Sequence, residues 1–477
     1  MFVNDSIMGA LNREAARPRW VREHRHAPWA AVGAVCVGAF MGQLDASIVT
    51  LTYPRLQSEF AAGLGSVQWV SLSYLGILAV LLIPVGRWAD ARGRKLLYLY
   101  GFGLFSLASA ACALAPTLGW LVVGRGVQAV GAALLQANSL ALVFLSVPRS
   151  RARTALGIQA AAQAAGLALG PSLGGFLVEA YGCRSVFWVN VPIGLVAIVA
   201  GHVLLPRSRH LTQRRGGDLT GFVLLAAAVV SGLLALSGLS GMPLPSPLLL
   251  ALCVAAVVAA MIFWRVEGRA SAPLVDRHLL RRGGLGAKLA GALLAYLLLF
   301  APLVLYPTVF PTWGVSTTFG GLVLSCLPIG FALAAVGTNV LHLRASNQLR
   351  IAMGALGVFA SLVTSAALWR SPVLVAGLLL LMGAFLGMVV PANNATVMAE
   401  VRASSSAVTG GMVNVARAMG TSLGVAVTAM GVHVATLHRW AGPDVVLPVL
   451  AVFALALAAT ALSRPTTSGR SMAGIAP

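Results

Sequence analysis

The sequence predicts an all-α integral membrane protein with fourteen transmembrane helices and both termini in the cytoplasm. Three observations lead there. Hydrophobic residues fill 58% of the 477 positions and charged residues only 9%, against about a quarter charged in ordinary soluble domains. That leaves too little polar surface to cover the apolar volume, so lipid must cover it. Fourteen stretches are apolar over roughly the 20 residues that a helix needs to cross the hydrocarbon core. Finally, Lys and Arg fall almost wholly on one side of those stretches.

The first seven spans lie near 29–53, 67–86, 96–115, 119–146, 154–179, 186–205 and 219–238. The other seven lie near 247–264, 289–310, 318–340, 351–369, 372–397, 406–436 and 445–463. Alternation of period two does not recur, which argues against an outer-membrane barrel. The first span follows 28 mostly polar residues and is too long for a signal-peptide core, so it is expected to remain as the first helix. With the N-terminus inside, inside segments carry 27 of the 33 Lys and Arg, and outside loops carry only Arg55, Arg184, Arg370 and Arg439. Arg125 and Arg417 fall within spans. This distribution accounts for the net charge of +21 through orientation and contact with anionic lipid. Nucleic acid would need the basic residues gathered on one solvated face. Membrane lipid is therefore an expected partner and nucleic acid is not. Cys36, Cys112, Cys253 and Cys326 lie in apolar runs, so no disulfide framework suggests itself.

The expected organisation is a cytoplasmic tail over 1–28, a six-helix bundle over 29–205, a linker with two extra spans over 206–288, a second six-helix bundle over 289–463 and a tail over 464–477. The inside segments 206–218 and 265–288 are longer and more charged than the others, and they bracket the extra pair. Two six-helix halves with an inserted pair is an arrangement found in transporters. Segment 265–288 reads either as an amphipathic stretch on the inner membrane surface or as a solvated connector.

Ionisable groups at membrane depth are expensive, so each needs a reason. Of the twelve acids only Asp45 lies well inside a span. Counting helical rise puts it roughly 24 Å from the inner face, and puts Arg125 roughly 9 Å from the outer face, so both sit in the outer half of a core about 30 Å thick. They can meet there. In one reading Asp45 makes a static ion pair or is satisfied by helix backbone. In the other it alternates between protonated and ionised as water reaches it from either side. Burial disfavours the ionised form of a carboxyl and a nearby guanidinium favours it, so moving the arginine would change proton affinity. Arg417, three residues from Asn414, either binds an anionic group of a ligand or holds helices together. The remaining polar residues of the spans outline a cavity: Gln43, Gln128, Gln136, Asn138, Gln159 and Gln163 in the first half, with Asn339, Asn393, Asn394 and Asn414 in the second. Tyr74, Tyr296 and Phe331 are candidate aromatic walls. Each is a ligand contact or a helix-packing hydrogen bond.

Four blocks carry a family resemblance. The inside loop after the second span reads Gly86-Arg-Trp-Ala-Asp90-Ala-Arg92-Gly93-Arg94-Lys95. The fourth span holds Leu121-x-x-x-Arg125-x-x-Gln128-x-x-Gly131, and the fifth holds Gly166-x-x-x-Gly170-Pro171-x-x-Gly174-Gly175. The sixth opens with Phe187-Trp-Val-Asn190-Val-Pro192-Ile-Gly194. Together with fourteen spans, these resemble the fourteen-helix drug:proton antiporter family of the major facilitator superfamily. The first span keeps that family's Asp45 and Pro54, with Thr50 where Asn is usual. Physics supports the fifth block independently. Its glycines recur every fourth residue as a smooth stripe for close helix approach, and Pro171 loosens the helix.

The resemblance implies a major facilitator fold and a proton-coupled antiporter exporting hydrophobic or amphipathic drugs by alternating access. Asp45 would be the coupling carboxyl and Arg125 its tuner. The fifth span would line the interface between halves and disfavour leak. The 86–95 loop would be a cytoplasmic latch, with Asp90 docking at Ser404, Ser405 and Ser406. Its rival role is to fix topology alone. With one buried acid and two buried arginines, the cavity is expected to favour neutral, zwitterionic or anionic cargo over dications, with monovalent cations admitted where they compete for Asp45. A dedicated exporter of one endogenous metabolite, and an uncoupled channel or sensor, are the competing functions. No nucleotide loop or metal cluster appears in the sequence, so no enzyme, metal or cofactor is expected, and the protein is expected to act as a monomer.

Overall fold

In the computed structural model, which describes residues 14, 17–207, 218–270, 274, 280, 284–340, 346–399 and 406–461, fourteen helices are long and apolar enough to cross a membrane. They are α1 (Ala27–Glu59), α2 (Leu64–Arg92), α3 (Arg94–Ala113), α4 (Leu118–Ser146), α5 (Thr154–Tyr181), α6 (Ser185–Leu204) and α7 (Leu219–Leu239). Then follow α8 (Ser246–Glu267), α9 (Leu285–Thr308), α10 (Thr317–Gly337), α11 (Asn347–Leu368), α12 (Pro372–Val397), α13 (Gly410–Leu437) and α14 (Gly442–Thr460). Residues 208–217 of one Arg-rich segment, and 271–273, 275–279 and 281–283 of the other, lie outside the described residues.

Local chemistry sets the ends and the irregularities. In α1, Pro54 has no N–H for the Thr50 carbonyl, so the Tyr53 N–H takes it one residue early. The helix tightens to a 3₁₀ turn over Val49–Thr52, four residues after Asp45, and then continues to Glu59. Thr117 caps α4 by accepting from the Trp120 N–H, and Asp218 caps α7 by accepting from the Gly221 N–H. The expected 86–95 loop is not one. Residues 86–92 continue α2, because nothing there breaks a helix, and the turn shrinks to Gly93 at φ +112°.

Side chains of α1–α6 form one buried core, joined by Val229 and Leu233 of α7, Val304 of α9 and Val425 and Ala426 of α13, and those of α9–α12 and α14 dominate another. The inserted pair is peripheral. Only 11% of the most apolar window of α8 is buried, against 78% for α9. Exposed Leu250, Val254 and Val257 turn outward where lipid would cover them.

The halves meet near the expected outer ends of their helices. A Cβ at Gly175 of α5 would lie 2.5 Å from the Thr317 carbonyl of α10, and Gly321 of α10 abuts Pro171 of α5 just as tightly. The Glu179 carboxylate accepts from the Thr318 N–H at 2.8 Å. Beside this, Gly65 of α2 lies against Ser240–Met242 after α7, Gln68 donates to Ser237 at 3.2 Å, and Ser240 donates to the Ala426 carbonyl of α13 at 3.4 Å. The end of α7 thus bridges α2 and α13. At the opposite ends, a Cβ at Gly157 of α5 or at Gly337 of α10 would meet no described neighbour within 4 Å. The protein is closed on its expected outer side.

Candidate functional site

Helix rise brings Asp45 and Arg125 to one level, and the structure joins them. Both are at most 1% exposed, with Arg125 Nη1 2.7 Å from Asp45 Oδ2. The same guanidinium donates from Nε to the Val70 carbonyl at 2.8 Å and from Nη1 to Gln128 Oε1 at 2.5 Å. The other carboxylate oxygen, Oδ1, accepts from Gln128 Nε2 at 3.0 Å and from Asn190 Nδ2 at 2.9 Å. Gln128 Nε2 is also 2.8 Å from Ser109 Oγ on α3. The Tyr74 ring covers one face of the guanidinium, 4.2 Å from centroid to Cζ, and Phe187 lies at 5.8 Å. Side chains, not helix backbone, satisfy Asp45. They bring together five helices of the first half: α1, α2, α3, α4 and α6.

A buried ion pair of this kind holds only because each carboxylate oxygen has a donor. Removing one member leaves an uncompensated charge at a cost of about 3–5 kcal/mol. Asn190 belongs to the cluster and was missed as a site residue. It lies five residues into α6, level with Arg125 by the same count of rise, and that was the signal available.

Directly against this cluster lies a cavity of about 100 Å³ between the halves. Gln43, Gln163, Tyr296, Asn414 and Arg417 line it as expected positions, and so do Gln136, Gln159 and Tyr74. Along the chain these positions lie at mid-depth and on the inner side of the α5–α10 closure. Tyr74 is therefore a shared wall, facing the cavity and stacked on Arg125. Arg417 lies over the Tyr296 ring at 4.5 Å and donates a long 3.4 Å bond to Asn414 Oδ1.

Four expected cavity residues lie elsewhere. Gln128 is spent on Asp45 and Arg125. Asn138 turns back to donate to the Leu134 carbonyl of its own helix at 2.7 Å, and Asn393 donates to the Lys288 carbonyl at 2.9 Å. Asn394 does not line the cavity either, and the Asn339 side chain lies outside the described residues. Among the aromatic walls, Phe300 takes the place expected of Phe331.

The glycine block of α5 divides its work. Gly166, Gly170 and Gly174 receive Phe40, Ser47 and Ile48 of α1 within the same half, whereas Pro171 and Gly175 touch α10 across the interface. Asp90 pairs with Arg94 one turn on, and Gly86 sits 4.0 Å from Ala137 of α4 by its would-be Cβ. Arg92 ends α2. Ser404, Ser405 and the Ser406 side chain lie outside the described residues. A contact that the sequence did not reveal comes from the tail: the Glu14 carboxylate accepts from the N–H groups of Lys95 (3.0 Å) and Leu96 (3.3 Å), satisfying orphan donors at the start of α3.

A family model described as the Major Facilitator Superfamily matches residues 35–425. The chain is 33% identical over 435 residues to the tetracenomycin C resistance and export protein of Streptomyces glaucescens, covering 88% of this chain and 78% of that one. It is 32% identical over 405 residues to the multidrug resistance protein Stp of Mycobacterium tuberculosis, covering 83% and 74%. Among solved structures, the nucleoside transporter NupG superposes with a TM-score of 0.62 over 91% of this chain and 99% of that one. At 14% identity, that likeness is one of fold alone.

Proposed function

The chain belongs to the major facilitator superfamily, as a multi-pass protein of the plasma membrane, and we propose that it is a proton-coupled antiporter exporting hydrophobic or amphipathic drugs and antibiotics. One observation carries the reading. The lone acid deep in a span is paired with Arg125 against a wall, Tyr74, that also faces the cavity.

The chemistry follows from hydrogen-bond bookkeeping. Ionised Asp45 accepts at both oxygens, from Arg125 on one side and from Gln128 and Asn190 on the other. A proton on either oxygen turns an acceptor into a donor aimed at groups that themselves donate, and it removes the charge that holds Arg125. Protonation therefore loosens α1 from α4 and α6. Because α1 also packs along the glycine face of α5, its movement reaches the Pro171–Gly175 contact with α10. In this mechanism the proton reaches Asp45 from outside while the outer closure is open and cargo leaves, and its loss to the inside, after that closure has re-formed, restores the pair. The driving energy is about 2.3 kcal/mol per charge per 100 mV, plus the pH gradient. Asp90, Arg94 and Gly93 would steady the cytoplasmic turn through this cycle.

A dedicated exporter of one compound is the second reading, favoured by the relative named for tetracenomycin C alone, as Stp is named for many drugs. Narrow as opposed to broad protection of a hypersensitive strain separates the two. The proton reading is tested by Asp45→Asn in vesicles. Wild-type protein should pump cargo uphill under an imposed pH gradient, and the amide should reduce this at least ~100-fold while leaving downhill exchange. Uphill pumping by the amide at the native rate would overturn the mechanism. A hundredfold loss of rate corresponds to about 2.7 kcal/mol of barrier.

A further inference from the structure

Among the described residues, Arg417 contributes the only charge lining the cavity, and no acid lines it. No carboxylate among the described residues pairs with it. Its polar contact within the protein is the 3.4 Å bond to Asn414, too long to satisfy a fork of five donors. Asp45 does not offset this charge, since Arg125 already neutralises it and every Asp45 partner lies in the first half. The cavity therefore carries one net positive charge.

The surroundings of that charge narrow the ligand. Tyr296 holds one face of the guanidinium at 4.5 Å, and apart from the long bond to Asn414 its N–H groups are left for what enters the cavity it lines. A planar fork presented edge-on matches a carboxylate, which it binds through two parallel hydrogen bonds. Tyr296 and Phe300 are themselves stacked, with centroids 6.5 Å apart and planes at 20°, which makes a flat apolar wall beside the fork. Tyr74 supplies another ring from the opposite half. A cation entering this space meets like charge with no acid to receive it, which excludes it as effectively as the arginine attracts an anion.

We infer that the cavity takes aromatic carboxylates, with the carboxylate on Arg417 and the ring system against Tyr296 and Phe300. This rests on the exporter reading and names its cargo. It also changes the electrical balance. One proton moving in and one anion moving out carry two charges in the same electrical sense, so membrane potential alone drives export at equal pH.

Equilibrium binding to the purified full-length protein tests the inference, with 2-naphthoate, 2-naphthamide and 2-naphthylmethylammonium as probes of matched shape. The naphthoate should bind roughly tenfold or more tighter than the amide, the size of a charge-assisted hydrogen-bond pair, and the ammonium should bind weakest. Arg417→Gln should bring the naphthoate down to the amide's affinity, while Arg417→Lys keeps a reduced preference. The inference is overturned if the ammonium matches the naphthoate on wild-type protein, if none of the three binds, or if a folded Arg417→Gln protein keeps the naphthoate preference. Should Arg417→Gln fail to fold, the wild-type ranking and the Lys variant decide alone. Binding needs no gradient, so these outcomes stand apart from the vesicle test of Asp45.

Discussion

Arg125 and Arg417 are the same residue at membrane depth, one in each half, and their surroundings give them opposite properties. Arg125 is sealed at 1% exposure, and its donors go to a carboxylate, a backbone carbonyl and an amide. Arg417 is half-buried on a cavity wall with one long bond to Asn414. Each lies over a tyrosine ring, at 4.2 Å and 4.5 Å, so stacking does not distinguish them. The acid does. Where a carboxylate is fixed beside the guanidinium, the pair is neutral and protonation can change its state. Without one, the charge is left to act on whatever enters. Nature of the partner, not depth, separates a candidate coupling site from a candidate cargo site.

The same substitution at both arginines tests this comparison most severely. Lysine keeps the charge but has no planar fork. At 125 it can serve one partner well, and it leaves Val70, Gln128 or Asp45 short of a bond inside the protein. Arg125→Lys should therefore reduce gradient-driven uphill transport by roughly 100-fold, about 2.7 kcal/mol of barrier, and lower the melting temperature. Arg417→Lys should cost uphill transport of 2-naphthoate only about a tenth as much, as the loss of one of two charge-assisted bonds would. Equal losses at both positions would mean that depth alone sets the role.

How much of this was legible in the sequence follows from what periodicity and charge can report. Position along a helix gives depth, and depth alone singled out Asp45 and Arg125 as partners. Rotation about the helix axis decides which residues face inward, and nothing in a uniformly apolar span fixes it. Asn138 and Asn393 were therefore assigned to the cavity although they face helix backbone. For the same reason the sequence shows Asn190 only as part of a motif and names Phe331, not Phe300, as an aromatic wall. The helical run through residues 86–92 was missed for another reason. Charged residues mark the end of the hydrocarbon layer, but a helix has no need to stop there, and only Gly93 ends this one. Contacts remote in sequence, such as Glu14 capping α3, leave no local signal at all.

Tyr74 offers a sharper cut, since it belongs to both regions. Its hydroxyl is buried without a hydrogen-bond partner, whereas its ring covers Arg125 and faces the cavity. Tyr74→Phe removes only the orphan hydroxyl and should leave transport and melting temperature at or slightly above wild-type values. Tyr74→Leu removes the ring, and with it up to about 2 kcal/mol of cation–π attraction on a desolvated guanidinium. Proton-driven transport should drop about tenfold or somewhat more, while 2-naphthoate affinity falls only a few-fold. If the losses are reversed, with binding lost and coupling kept, the ring belongs to the cargo site alone.

The smallest effect is expected at a third arginine that has a carboxylate but no burial. Arg184 pairs with Glu59 at 3.1 Å on the expected outer surface, with 47% and 37% of the two side chains exposed. Water and salt already screen both charges, so forming the pair gains little over leaving them apart, about 0–1 kcal/mol. Arg184→Gln should leave uphill transport within about twofold and shift the melting temperature by a degree or two at most, and high salt should erase even that difference. The comparison then has three corners: a buried arginine with an acid, a cavity arginine without one, and an exposed arginine with one. A large loss on removing Arg184 would show that an acid partner is enough without burial. The argument that desolvation makes the Asp45–Arg125 pair sensitive to a single proton would fail with it.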